Sequence, residues 1–114
     1  CRRFKDSIAL GNYDIDIHNP EGTGTSHYYF KDGEYYTIPY RCMVVKKYKN
    51  LLVTGRCIST THEAQASIRI MPIVCCLGEA AGYGAAVAWK NGSSMKDADI
   101  AEIQKLIKEN GGFC

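Results

Sequence analysis

Apolar and polar residues alternate over Tyr13-Asp14-Ile15-Asp16-Ile17-His18, the period of a half-buried strand. Residues 27–31 and 34–45 are rich in aromatic and β-branched side chains, and Asp32-Gly33 between them predicts a type I′ hairpin. Pro39 interrupts the second arm, which places that arm at an edge or beside a bulge. Upstream, Phe4, Ile8 and Leu10 predict a short helical or turn segment around Asp6-Ser7, and residues 19–26 read as a loop by composition. After a polar turn at 46–50, residues 51–54 form a short continuous apolar run that predicts a buried strand stopping at Gly55.

The pattern then changes to helical. A first helix is predicted over 72–90, with Pro72 at its first position. Gly78, Ala81, Gly82, Ala85 and Ala86 recur along it at three- and four-residue spacing, a smooth stripe suited to close backbone approach. Residues 71–89 carry a single charge, Glu79, near the middle. A carboxylate there is costly in lipid, so a helix buried inside a larger soluble protein is favoured over a membrane span. A second helix starts at Asp99 as N-cap, with Glu102 placed for a capping box; Ile100, Ile103, Leu106 and Ile107 make its apolar face, and Gly111 ends it. The expected class is α+β: an antiparallel hairpin and short strands followed by two C-terminal helices. Residues 1–114 make one domain, divided into a β-rich segment (1–49), a strand–loop–helix (50–90) and a C-terminal helix (91–114).

Length and composition agree with one domain and a modest core, at 114 residues with 46% hydrophobic and 23% charged side chains. A formal charge of +2 is too small to imply a nucleic-acid partner, and the clusters Arg2-Arg3-Lys5 and Lys46-Lys47-Lys49 read as solvated turns or ends. The chain opens at Cys1-Arg2-Arg3 with no methionine and no signal-like start, as if cut from something longer, which leaves targeting open rather than negative. Six cysteines do not make a disulfide framework. Cys75 and Cys76 are adjacent in a predicted helix and point about 100° apart. Cys42 and Cys57 accompany apolar runs, Cys1 and Cys114 lie at the ends, and no C-x-x-C pair suggests zinc or redox chemistry. This usage favours a reducing compartment and hence the cytoplasm.

Candidate chemistry concentrates between Gly55 and Met71, where Arg56, His62, Glu63 and Arg69 fall between a predicted strand and a predicted helix. One reading is a solvated loop with salt bridges. The other is a ligand-facing loop backed by a helix N-terminus, whose partial positive charge of about half an elementary charge stabilises an anion or an electron-rich ring. Asp14, Asp16 and His18 share one face of the alternating strand and could bind metal or relay protons, but a polar outer face is the favoured reading. Gly22-Thr23-Gly24-Thr25-Ser26-His27 begins like a phosphate-cradling G-x-G-x-x-G, yet His27 stands where the last glycine belongs. Nothing in these residues can serve as the first βα turn of a dinucleotide fold.

Several longer motifs carry a resemblance. Asp14-Ile15-Asp16-Ile17-His18-Asn19-Pro20, Ile38-Pro39-Tyr40-Arg41-Cys42 and Asn50-Leu51-Leu52-Val53-Thr54-Gly55-Arg56-Cys57-Ile58-Ser59 occur in order with Thr61-His62-Glu63-Ala64, Ser67-Ile68-Arg69-Ile70-Met71-Pro72 and Leu77-Gly78-Glu79-Ala80-Ala81-Gly82. Together they resemble a bacterial family of FAD-dependent oxidoreductases over nearly the whole chain. The resemblance implies the C-terminal part of a longer protein, which completes a Rossmann-like FAD-binding fold with an N-terminal dinucleotide-binding part. It implies that Gly55 and Arg56 lie beside the cofactor and that Arg69, Met71 and Pro72 lie at the flavin ring edge. Arg56 stands where many flavoproteins carry an acidic residue. The smooth stripe would pack on the N-terminal part; His62 and Glu63 would face a small-molecule substrate as catalytic groups, and Arg41 would bind that substrate. No metal, nucleic acid or membrane partner is implied; a homodimer of the fragment would cover its bare helix face. The alternative is a self-contained substrate-recognition or interaction module without redox activity.

Overall fold

A computed structural model describes residues 1–18 and 21–114; Asn19 and Pro20, part of the expected loop and of the first motif, lie outside the described residues. The strands are β1 (Ser7–Gly11), β2 (Ile15–His18), β3 (Thr25–Tyr28) and β4 (Tyr36–Pro39), and the helices are α1 (His62–Ile68), α2 (Met71–Lys90) and α3 (Ile100–Glu109). Short 3₁₀ turns occupy Tyr40–Met43, Gly55–Cys57 and Met95–Asp97. The class is α+β, as expected, with two separate two-stranded antiparallel sheets.

The strand pairing differs from the expected hairpin. β3 pairs with β2 and β4 pairs with β1, so the two arms around Asp32-Gly33 belong to different sheets. A turn does form there, with Glu34 N–H donating to Lys31 O at 2.9 Å. Only Gly33 of its central residues has positive φ, at 80°, whereas a type I′ turn requires it at both. The segment around Asp6-Ser7 is likewise no helix: Ser7–Gly11 is a mostly buried strand paired antiparallel with β4. Its register shifts between Ser7 and Ala9, opposite Ile38 and Pro39, so the irregularity accompanies the proline. The apolar run 51–54 forms one isolated bridge, Leu52 to Val44, and no strand. Leu51 is 42% exposed, so hydrophobicity alone did not bury it.

α2 is the spine of the molecule. Ile73, Leu77, Ala80, Gly84, Val87 and Ala88 recur at helical spacing and are buried against β1, α3 and the Gly55–Cys57 turn. Ile8, Ile38, Tyr40, Met43, Ile103 and Ile107 complete the core from the other elements. α3 starts as expected: Asp99 Oδ1 accepts from Ala101 N–H at 2.9 Å and Glu102 N–H at 3.2 Å. The reciprocal half of the capping box is absent, because the Glu102 carboxylate reaches instead to Lys90 Nζ (2.7 Å) and Asn91 Nδ2 (3.2 Å), tying α3 to the end of α2.

The opposite face of α2 is uncovered among the described residues. Met71, Cys75, Gly78, Gly82 and Trp89 are exposed along it, Trp89 to 86%, and a Cβ at Gly78 or Gly82 would meet nothing within 4 Å. By length and composition α2 is apolar enough to cross a membrane; one face is nevertheless packed on protein. The overall extents are 51 × 32 × 21 Å with a radius of gyration of 15.1 Å, above the about 13 Å of a compact chain of this size.

Candidate functional site

Pro72 shapes the centre of the site. Its ring cannot continue a helix across the carbonyl four residues earlier. α1 accordingly ends at Ile68, Arg69 caps it, and α2 restarts at Met71. The new helix has no side-chain cap at Ile70, and its first bond runs from Val74 N–H to Ile70 O at 3.0 Å. Amide donors of the first turn are therefore left for another partner, with the positive end of a 20-residue helix behind them.

The segment from 55 to 71, expected to be a loop, contains α1 instead. Thr61 is its N-cap, its Oγ1 accepting from Ala64 N–H at 3.2 Å. Gly55 opens the preceding turn with φ of 73°, a conformation costly for a side chain with a β-carbon, and lies close to Val74 of α2. Arg56 folds onto the break between the helices: its Nε donates to Arg69 O at 2.9 Å, while Gln65 Nε2 donates to Arg56 O at 3.2 Å. A guanidinium at the C-terminal end of α1 also complements that helix dipole. Gly55, Arg56, Arg69, Met71 and Pro72 lie around this one break between the helices.

Arg69 reaches a second element. Its Nε donates to Ala66 O at 3.2 Å, and its Nη2 lies 3.4 Å from Asp16 Oδ2 on β2. Asp16 is therefore more than part of a polar strand face: its carboxylate holds the guanidinium beside the helix break. The other oxygen, Oδ1, is buried without a hydrogen bond, and His27 Nδ1 stands 3.9 Å from it. Reading the sequence missed this grouping because it depends on the β2–β3 register, which sets Asp16 directly opposite His27. Asp14 turns elsewhere, its Oδ1 accepting from Phe30 N–H at 3.0 Å. Among the described residues no three side chains of the metal-ligating types converge.

Behind Arg69, Ser67 is buried and joins the sheets to α1. Its hydroxyl shares a 2.6 Å hydrogen bond with Tyr36 Oη and donates to Tyr13 O. Burial pushes the Tyr36 hydroxyl pKa up, against a smaller lowering by Ser67.

The remaining expected residues are not drawn into this cluster. His62 and Glu63 are exposed in the first turn of α1 and make no side-chain hydrogen bond or ion pair among the described residues. Arg41 is committed to Asp6, to which its Nη1 donates, and lies 4.7 Å from the centre of the Phe4 ring. A shallow hollow elsewhere is lined by Arg3, Phe4, Tyr35, Thr37, Gln104 and Phe113, and none of the expected site residues borders it.

A family model described as FAD dependent oxidoreductase matches residues 1–107. The chain belongs to that family. No curated relative and no solved structure matches it. The residues fit one end of the cofactor that the family implies. This member of the oxidoreductase family presents uncapped helix amides, Gly55 and two arginines, the donor set for an electron-rich ring or an anion. Among the described residues there is no glycine-rich βα turn for the nucleotide half.

Proposed function

We propose that this chain is the C-terminal part of a bacterial FAD-dependent oxidoreductase and supplies one wall of the flavin site. The observation that carries the reading is the junction at Arg69-Ile70-Met71-Pro72, where the uncapped start of α2 meets Arg56 and Arg69. Gly55, Arg56, Arg69, Met71 and Pro72 would hold the ring end of FAD, whose bound chemistry is two-electron oxidation and reduction. The role of this chain is binding and electrostatics. The α2 amides and the arginine charges favour negative charge accumulating on a reduced ring. Asp16 restrains Arg69, so its charge is placed before any ligand arrives.

The bare face of α2 supports the second half of the proposal. Exposed Gly78 and Gly82 leave room for close backbone approach, and an N-terminal dinucleotide-binding part of the same protein would cover them. His62 and Glu63 would then lie toward the small-molecule substrate, with Arg41 beyond them. The chain alone would be inactive, since half of the cofactor site is supplied from elsewhere.

Flavin absorbance of the purified full-length protein tests this reading. The yellow chromophore should co-purify or be restored by added FAD. A full-length protein that stays colourless after reconstitution contradicts the proposal and favours a recognition module without redox activity.

A further inference from the structure

Asp16 and His27 sit directly across from each other in the antiparallel β2–β3 pair. Cβ atoms of such cross-strand neighbours lie about 5 Å apart, within reach of a carboxylate–imidazole contact. Three observations bear on that contact. Asp16 Oδ1 is buried and has no hydrogen-bond partner, which is costly for a carboxylate oxygen. His27 Nδ1 faces that oxygen at 3.9 Å, beyond a hydrogen bond in this arrangement but within an ion-pair approach. The other oxygen, Oδ2, is engaged by Arg69, which fixes the carboxylate from the opposite side.

The His27 ring also has an aromatic neighbour. It stacks on Tyr29 with centroids 5.6 Å apart and an interplanar angle of 12°. Its side chain stays 39% exposed, which leaves the ring accessible. His62, the histidine that the motifs suggested as catalytic, has no orienting partner among the described residues. A carboxylate at one ring nitrogen sets which nitrogen carries the proton in the neutral imidazole, and so which one can accept another.

We propose that Asp16 and His27 form a dyad in which Asp16 holds His27 as the Nδ1–H tautomer and leaves Nε2 as the proton acceptor for a hydroxyl- or amine-bearing substrate. The inference rests on the oxidoreductase reading and names the substrate class it serves. Oxidising a CH–OH or CH–NH group removes a hydride from carbon and a proton from the heteroatom, forming C=O or C=N. Bound FAD would supply the two-electron acceptor for the hydride, and His27 Nε2 takes the proton. The imidazolium formed is balanced by the Asp16 carboxylate, already placed by Arg69. Asp16 acts as a positioning residue; His27 is the group that meets the substrate.

The test needs no flavin and no known substrate. In the 114-residue chain labelled with ¹⁵N-histidine, two-bond ¹H–¹⁵N spectra are recorded at a pH of about 9, where an ordinary imidazole is neutral. His27 should carry its proton on Nδ1, and Asp16→Asn should remove that preference. A wild-type His27 protonated on Nε2 overturns the proposal, whether or not the variant folds. Reactivity gives a second readout: acylation of His27 Nε2 by diethyl pyrocarbonate should slow about threefold or more in Asp16→Asn, with His62 unchanged. Equal His27 rates in folded wild type and variant overturn it. Failure of the full-length protein to bind FAD would defeat the cofactor reading while leaving both of these results intact.

Discussion

The Tyr40 ring lies across Gly84 so closely that a β-carbon at position 84 would stand 2.7 Å from Tyr40 Cε2. Tyr40 is 2% exposed, and its hydroxyl donates to Met95 O at 2.8 Å. One side chain thereby ties the turn after β4 to the middle of α2 and to the turn before α3. The small residues of α2 therefore serve two directions: Gly84 admits Tyr40 inward, while Gly78 and Gly82 face outward with nothing upon them.

Gly84→Ala should destabilise the chain by about 1–3 kcal/mol, since a pinned, buried ring cannot step aside cheaply. The better helix propensity of alanine, about 1 kcal/mol, works in the opposite direction. Urea denaturation measures the difference. A variant as stable as wild type would mean that Tyr40 relaxes freely.

The outward glycine should behave in the opposite sense. Gly82→Ala meets open space and should stabilise the chain by about 0.5–1 kcal/mol through helix propensity alone. Gly82→Leu should leave the isolated chain folded but lower flavin retention in the full-length protein, where the proposed contact is made. Undiminished flavin content in that variant would show that the face is not the contact.

Burial pushes the Tyr40 hydroxyl up to about 12 from 10.0. The folded state thus retains a proton that the unfolded chain releases earlier, so stability is full below about 10 and falls as pH rises toward about 12. Tyr40→Phe should remove that part of the decline. Denaturation midpoints across this range check it; parallel pH curves for wild type and variant would refute it.

At the α2–α3 tether, the hydrogen bond from Lys90 lowers the Glu102 carboxyl pKa, with a further contribution from Asn91. A depressed carboxylate adds stability above its ordinary pKa and loses it as pH falls through the lowered value. Lys90 is raised by the same hydrogen bond, so its share is lost only when alkaline pH passes its folded value. Glu102→Gln should flatten the acid limb slightly and reduce the salt dependence of stability, as expected of an exposed pair. Thermal melts at low and high salt read both effects.

Arg69→Ala in the full-length oxidoreductase should reduce flavin retention, and Arg69→Lys should restore it incompletely because a point charge cannot bridge Ala66 O and Asp16 as the fork does. Flavin content per protein by absorbance provides the measurement. Wild-type content in Arg69→Ala would remove Arg69 from the site.

Much of the helical part was legible residue by residue. Pro72 at the start of α2, Asp99 before α3 and the apolar spacing of Ile100, Ile103, Leu106 and Ile107 are local signals, and each marks an element that forms. The ordered motifs also identified the family, because the matching residues are spread along the chain at characteristic spacings. The β part was less legible. Asp32-Gly33 predicts a turn from its own backbone preferences, and a turn forms, but such preferences cannot choose which strand pairs with which.

That choice belongs to the tertiary structure. β1 goes to β4 because Ile8 and Ala9 are buried with Ile38 in the core under α2; this frees β3 to pair with β2 and sets His27 opposite Asp16. The same packing leaves residues 51–54 as a bridge and gives Arg69 a carboxylate from a strand 53 residues away in sequence. Local propensity determined α2 and α3, whose hydrogen bonds close within a few residues, whereas the short α1 was not legible in this way. Strand partners and the polar cluster required contacts between distant segments, whose energies no single stretch of sequence contains.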